Sequence, residues 1–185
     1  MRKLSVFNNV SLDGYFTDGQ GDMSWAHKAD PEWQEFTRNN ARGGGTMILG
    51  RVTYDLMVQY WPTPLAAQNN AAVAERMNNL SKIVFSRTLD QATWNNTRLI
   101  KDDLVGQVRK LKNEPGDDIV IIGSGTVVSQ LADAELIDDY KIVVVPVILG
   151  SGRSLFEGVG ATPALKRTSV RSFENGNVYL CYEAA

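Results

Sequence analysis

The stretch Met47-Ile48-Leu49-Gly50-Arg51-Val52-Thr53-Tyr54 carries the pattern on which the fold prediction rests. Its apolar start, Thr46 to Leu49, predicts a buried strand, and the helical spacing after Gly50 predicts a helix that begins at Arg51. A glycine at such a junction lets a ligand approach the backbone, and a helix N-terminus offers free N–H groups and a positive dipole end. With the Arg51 cation and the Thr53 hydroxyl, this junction suits a phosphate.

Two further strand ends carry small, polar or cationic residues of the same kind. Ser86-Arg87-Thr88 ends one apolar segment, and Gly123-Ser124-Gly125-Thr126 follows the apolar run Asp118 to Ile122. Ligands of open α/β sheets bind beyond the carboxyl ends of the strands, so we expect the three junctions to line one crevice. For each junction alone, ordinary turn chemistry is an equally good interpretation. Neither the G-x-G-x-x-G fingerprint nor a P-loop is present.

Strands alternate with helices as far as residue 149, and a hairpin pattern follows. Lys3 to Val10 predicts a first strand, Asp30-Pro31-Glu32 a helix start, and Asp139 to Leu149 a long strand. Ala164 to Glu183 alternates as a β-hairpin with Asn175-Gly176 at its turn. We therefore predict one α/β domain over residues 1–185, with a mostly parallel sheet flanked by helices and a C-terminal antiparallel hairpin. Other predicted helices are Arg51 to Tyr60, Leu65 to Leu80, and Asp102 to Lys112 capped by Asp102.

The composition of the 185 residues excludes several classes of protein. A net charge of −2 argues against a general nucleic-acid binder, which would need a basic surface. The single cysteine, Cys181, excludes an internal disulfide framework and fits a reducing cytoplasm. The longest apolar run, Ile142 to Leu149, contains Pro146 and is too short to span a bilayer. We therefore expect a cytoplasmic protein with neither nucleic acid nor membrane as a partner.

Six short motifs share their order and spacing with a known superfamily. They are Ser11-Leu12-Asp13-Gly14, the Gly-x-x-x-Trp that ends at Trp25, Leu49-Gly50-Arg51-Val52-Thr53, Val84-Phe85-Ser86-Arg87, Ile121-Ile122-Gly123-Ser124-Gly125, and Pro146-Val147-Ile148-Leu149-Gly150-Ser151-Gly152. Together they make nearly the whole chain resemble the dihydrofolate reductase superfamily, and within it the branch of the reductase domain of the bifunctional riboflavin-biosynthesis deaminase/reductase. The resemblance implies a dihydrofolate reductase-like fold.

The resemblance also implies NADPH as the cofactor. Residues matching Gly50, Arg51 and Thr53 hold the pyrophosphate and adenosine side, those matching Ser86 and Arg87 meet the ribose 2′-phosphate, and the Gly123 to Thr126 turn lies against the pyrophosphate and nicotinamide. An arginine beside a serine hydroxyl is also what a 2′-phosphate requires chemically, whereas a site for NAD would favour an acid. The predicted cofactor-binding residues are Asn9, Phe16, Gly50, Arg51, Val52, Thr53, Ser86, Arg87, Gly123, Ser124, Gly125 and Thr126, with Asn9 and Phe16 flanking the nicotinamide.

The segment Asp13 to Trp25 resembles the mobile loop that closes over the nicotinamide in this superfamily. Its glycines fit a lid that excludes water, although composition alone favours a plain surface loop. Asp13 suits a role in fixing the turn through backbone hydrogen bonds. The predicted substrate-binding residues are Asp13, Trp25, Trp33 and Arg153.

Asp30 is the predicted catalytic residue. The substrate-binding acid of dihydrofolate reductases lies five residues after the loop tryptophan and three before another, and Trp25, Asp30 and Trp33 reproduce both intervals. A carboxyl group beside aromatic rings would have a raised pKa and could relay a proton. The alternative is structural, because Asp before Pro31 is an ideal helix N-cap. His27 is expected to be a solvated loop residue that could donate a proton, and no residue cluster has metal-ligand spacing.

The sequence thus leads to two hypotheses. The first is an NADPH-dependent reductase that passes hydride to a C=N or C=O of a pterin or a ribosylaminopyrimidine, and the phosphate of the latter would need a cation such as Arg153. The second is a non-catalytic nucleotide-binding protein of the same fold. A homodimer is expected because the resembled reductases commonly form one.

Overall fold

An eight-stranded sheet forms the centre of the computed structural model, which describes residues 1–26, 30–40 and 45–185. Its strands are β1 (Leu4–Ser11), β3 (Thr46–Gly50), β4 (Ser81–Phe85), β5 (Thr97–Ile100), β6 (Ile119–Ile122), β7 (Asp139–Val145), β9 (Leu165–Ser172) and β10 (Val178–Ala184). The order across the sheet is β5-β4-β3-β6-β1-β7-β10-β9. All strands from β5 to β7 in that order pair in parallel, and β10 and β9 add the antiparallel edge. The predicted fold class is therefore confirmed.

Two short strands form a separate ribbon. β2 (Tyr15–Thr17) pairs antiparallel with β8 (Arg153–Ser154). The predicted loop after β1 is thus held to the segment after β7. Such short strands leave no alternation in the sequence, which is why they were not predicted.

Five α-helices cover the two faces of the sheet. In the described ranges they are α1 (Pro31–Asn40), α2 (Arg51–Tyr60), α3 (Pro64–Asn79), α4 (Leu104–Asn113) and α5 (Gly125–Asp133), and a 3₁₀ turn covers Ser24–Ala26. None of the helices in the described part of the chain is long and apolar enough to cross a membrane.

Each face of the sheet has its own apolar core. On one face, Val6 and Ile48 are fully buried against α4 and α5. On the other, Leu49 and Val84 pack with α2 and α3, and Val143 packs with α1. Burial on both faces explains why β3 and β6 read as continuous apolar runs.

Two predicted boundaries were wrong. α4 begins at Leu104 and is capped by Asp103, whose carboxylate accepts a hydrogen bond from the Gly106 amide at 3.1 Å; Asp102 lies outside the helix. β7 ends at Val145 rather than Leu149, because Pro146 has no N–H to continue the ladder.

Candidate functional site

A cavity of about 580 Å³ lies at the carboxyl ends of β3, β4, β5 and β6. All three predicted junctions line it, so the expected single crevice is present. It contains every predicted cofactor-binding residue except Asn9, namely Phe16, Gly50, Arg51, Val52, Thr53, Ser86, Arg87, Gly123, Ser124, Gly125 and Thr126. Parallel strands explain the arrangement, since their carboxyl ends meet at one edge of the sheet.

A serine hydroxyl joins two of these junctions. Ser124 Oγ accepts a hydrogen bond from the Gly50 amide at 2.6 Å and donates one to Thr53 Oγ1 at 2.9 Å. Ser124 has φ +61°, a left-handed conformation that non-glycine residues rarely adopt. The turn after β6 is therefore held in an uncommon conformation against the start of α2.

Three glycines in the cavity wall leave no room for a side chain. A Cβ added at Gly50 would lie 2.8 Å from Ser124 Oγ, and one at Gly125 would lie 2.7 Å from the Phe16 ring. Gly123 has φ +62°, and a Cβ there would lie 2.6 Å from Thr53 Oγ1. The glycines therefore permit the close packing of the two turns on which the cavity depends.

Asn8 supports the same turn from below. Its side-chain oxygen accepts a hydrogen bond from the Gly123 amide at 3.1 Å, and its amide lies 3.5 Å from the Gly123 carbonyl. The predicted cofactor-binding residue was the neighbouring Asn9. Asn8 is 3% exposed. Its position within an apolar strand could have indicated a buried side chain that makes specific hydrogen bonds.

Asn9 points to the opposite face of the sheet. It pairs in register with Val143, which lies in the core with α1, and its side-chain oxygen is buried with no hydrogen-bond partner in the described part of the chain. It does not line the cavity.

Among the described residues, four cationic side chains line the cavity: Arg51, Arg87, Lys101 and Arg153. Arg51 lies 3.7 Å from Asp55 in an exposed ion pair, which contributes little to stability. Arg153 donates a hydrogen bond to Thr126 Oγ1 at 3.4 Å, and its guanidinium lies 5.7 Å from the centre of the Phe16 ring. The cavity thus has a cation at each of its two sides: Lys101 beside the end of β5, and Arg153 beside the turn that follows β6.

The turn between β5 and α4 contributes residues that sequence reasoning missed. Lys101, Asp102 and Asp103 line the cavity beside Ser86 and Arg87. β5 is parallel to β4, so the rule that selected the other three strand ends applied to this one as well.

Comparison with protein-family models gives a match over nearly the whole chain. The family model of the RibD C-terminal domain matches residues 2–179. The chain belongs to the RibD C-terminal domain family. The predicted resemblance is confirmed.

Known relatives of this RibD C-terminal domain protein extend over its whole length. The uncharacterized protein YyaP of Bacillus subtilis (strain 168) is 30% identical over 183 residues, which are 98% of this chain and 94% of YyaP. A putative riboflavin biosynthesis protein from Shewanella sp. PV-4 has a similar crystal structure, with a TM-score of 0.75, 22% identity and 99% of each chain covered. Dihydrofolate reductase from Enterococcus faecalis, in complex with NADP(H), matches with a TM-score of 0.65 and 16% identity over 98% of this chain and 96% of that one. The RibD C-terminal domain here thus has a reductase-type fold.

Asp13 has a structural role in this RibD C-terminal domain protein. Its carboxylate accepts hydrogen bonds from Ser11 Oγ at 2.6 Å, from the Gly150 amide at 2.7 Å and from the Leu149 amide at 3.2 Å. The Ser11 hydroxyl, followed by these two amides, lowers the pKa of Asp13 below its usual value. Asp13 does not line the cavity but ties the turn after β1 to the segment after β7.

Asp30 caps α1. Its Oδ1 accepts a hydrogen bond from the Trp33 amide at 2.7 Å. This is an N-cap contact, the structural role predicted as the alternative to catalysis. Asp30 is not among the described residues that line the cavity, and His27 lies outside the described residues. The catalytic role of Asp30 stays a prediction.

The two predicted substrate-binding tryptophans lie in an aromatic cluster beneath α1. Trp33 is 8% exposed, with its ring 5.0 Å from that of Phe173 and 5.2 Å from that of Phe36. Trp25 packs against the same cluster and donates from Nε1 to the Asp22 carbonyl at 3.1 Å. Neither lines the cavity, whereas the fourth predicted residue, Arg153, does.

Proposed function

We propose that this protein is an NADPH-dependent reductase that transfers hydride to a C=N or C=O bond of a small heterocycle. The observation that carries the proposal is the convergence of the three strand-to-helix junctions and four cations on one cavity. The reductase-type fold and the NADP(H) complex of the dihydrofolate reductase neighbour support it.

The chemistry of the donors fits the phosphates of NADPH. The N-termini of α2 and α5 both open at the cavity, and helix N-termini bind anions through free N–H groups and their dipole. Thr126 and Arg153 would hold the pyrophosphate on the α5 side, with Arg51 on the α2 side. Ser86, Arg87 and Lys101 would hold the 2′-phosphate at the far end.

NADPH would supply a hydride from a nicotinamide C–H bond and become NADP⁺, while the C=N or C=O π bond of the substrate is replaced by a C–H bond and its nitrogen or oxygen takes a proton. The protein positions the two reactants and excludes water. The β2–β8 ribbon and the Asp13 carboxylate tie the segment that carries Phe16, a residue of the cavity lining, to the segment after β7. The proton would come from water, or from Asp30 if its carboxyl reaches the substrate.

A titration with NADPH and NADH tests the proposal. We expect NADPH to bind more tightly. The Arg87→Ala variant should bind NADPH more weakly by about 1.5–3 kcal/mol, the contribution of a hydrogen bond to a charged group, while its NADH affinity stays within about twofold. Arg109→Ala, which removes an exposed arginine of α4, is the matched control. Equal affinities for the two cofactors, or no binding of either, would overturn the proposal.

A second candidate function is non-catalytic binding of NADPH. One observation favours it: no described carboxyl group is clearly placed to donate a proton to a substrate. Asp102 and Asp103, which line the described cavity, lie at the β5–α4 turn, and the carboxylate of Asp30 caps α1. NADPH consumption with a panel of heterocycles distinguishes the two functions. Turnover of any member of the panel supports the reductase, and binding without turnover supports this alternative.

A further inference from the structure

Helix α2 presents two large aliphatic side chains to the cavity. Val52 and Leu56 are each 56% exposed, and both line the cavity wall. Their spacing of four residues places them on one face of the helix. Met23, in the loop after β2, contributes a third flexible apolar side chain to the cavity lining.

These side chains are not needed for the core beneath the helix. The inner side of α2 already packs through Tyr54, which is 2% exposed, together with Met57 and Val58. A contiguous exposed apolar surface in a concave site is typical of a ligand contact.

The proposed function assigns the cations of the described cavity lining to the cofactor. Arg87 and Lys101 lie at the 2′-phosphate end, and Arg153 is joined to Thr126 at the start of α5. Arg51 lies close to Asp55, on a face of α2 next to the Val52–Leu56 face. Among the described lining residues, no cation remains for an anionic substrate.

We propose that the substrate of this site is a flat, uncharged, apolar carbonyl or imine compound that packs against Leu56 beside the cofactor, with Val52 contacting both ligands. The proposal rests on the proposed function, because the cofactor fills the polar part of the cavity. It disfavours the ribosylaminopyrimidine, whose phosphate would find no unassigned cation among the described lining residues, and it assigns Leu56 as a specificity-determining residue.

Equilibrium binding of two matched probes tests this assignment. 2-Acetylnaphthalene is flat and neutral, and 6-acetyl-2-naphthoate adds one carboxylate to the same ring system. With protein saturated with NADP⁺, we expect the neutral ketone to bind at least tenfold more tightly than the anion. Leu56→Asn should weaken binding of the neutral probe at least tenfold, without changing NADP⁺ affinity. Leu65→Asn is the matched control, because Leu65 is also 56% exposed but lies outside the cavity lining.

Each outcome gives a decision. Equal or tighter binding of the anion, or an unchanged affinity in Leu56→Asn, overturns the proposal. So does a dimer that Leu56→Asn dissociates in light scattering, because the apolar face would then be a subunit contact. If NADP⁺ and NADPH fail to bind, the proposed function falls, and the same probe titrations on the cofactor-free protein still decide whether the apolar site exists.

Discussion

Ser124 Oγ accepts a hydrogen bond from the Gly50 amide at 2.6 Å, although the two residues are 74 positions apart in the chain. The same hydroxyl donates to Thr53 Oγ1. One side chain therefore fixes the relative positions of the N-termini of α2 and α5, the two helices proposed to bind the pyrophosphate.

Ser124→Ala should lower both stability and cofactor affinity. The substitution leaves the Gly50 amide without this partner, and we expect the free energy of unfolding to fall by about 1–3 kcal/mol. Urea unfolding measures the first effect and NADPH titration the second. Ser129→Ala is the control, since that hydroxyl makes a long 3.4 Å contact to the Thr126 carbonyl and should change stability by less than about 0.5 kcal/mol. Equal stability of the two variants would contradict the bridging role of Ser124.

Gly125→Ala should displace the Phe16 ring. The added Cβ would lie 2.7 Å from that ring, which is 5% exposed and has little room to move. We expect the free energy of unfolding to fall by about 1–3 kcal/mol, as in other overpacked sites, and NADPH to bind more weakly. Gly19→Ala provides the comparison, because its Cβ would meet only Ser151 Oγ at an ordinary 3.5 Å. A Gly125→Ala protein as stable as Gly19→Ala would show that the wall at Phe16 adapts freely.

Asp30 variants separate the cap from catalysis. Asn is as good an N-cap as Asp, so Asp30→Asn should keep the free energy of unfolding, whereas Asp30→Ala should lose about 1 kcal/mol. Turnover of Asp30→Asn then tests the predicted catalytic role: a rate within about threefold of wild type would leave the residue with only the cap that the structure shows. A large loss of turnover in a fully stable Asp30→Asn protein would instead assign the proton to this carboxyl.

Lys82 should make stability depend on pH. Lys82 is 1% exposed, and its ammonium donates to the carbonyls of Met77, Asn78 and Leu80 and lies 4.5 Å from the centre of the Trp94 ring. Burial lowers the pKa of Lys82 from 10.5 to about 8. Between these two values the unfolded chain binds the proton and the folded chain does not, so the free energy of unfolding should rise with pH across that window.

Lys82→Met tests the contribution of the Lys82 hydrogen bonds to stability and the pH dependence of that stability. It removes three hydrogen bonds at the end of α3, and we expect a loss of about 1–3 kcal/mol near pH 7. The difference between wild type and variant should widen from pH 8 to pH 10.5 when measured by urea unfolding. Lys110→Met, an exposed lysine of α4, should show neither effect. A difference that stays constant with pH would mean that Lys82 titrates in the folded state as it does in the unfolded chain.

The sequence allowed the sheet and most of the cavity to be predicted, because both follow from local rules. Apolar runs that end in Gly, Ser and Arg identify parallel strands with a polar carboxyl end, and Gly50, Arg87 and Ser124 were found in this way. The Lys101-Asp102-Asp103 turn was not predicted, because it contains neither glycine nor serine and its aspartates have the pattern of a helix cap.

Other features depend on contacts that no local pattern records. The pairing of Tyr15 with Ser154 joins distant segments, and the left-handed conformation of Ser124 is stabilised by partners from another part of the chain. Trp33 has the spacing of a substrate contact, yet the C-terminal hairpin brings Phe173 against it and buries it. The predicted homodimer and the cytoplasmic location stay predictions.

The pairing of β3 with β6 also determines at which stage of folding the cavity forms. Thr46 lies in register with Ile119, so the chain must close a long loop before these strands can meet. Such distant pairings form slowly, and a nascent chain that ends before β6 has no second helix terminus to offer a nucleotide. A ligand that recognises only the finished site should act mainly by delaying unfolding, so the proposed cofactor should slow the unfolding of this protein more than it speeds its folding.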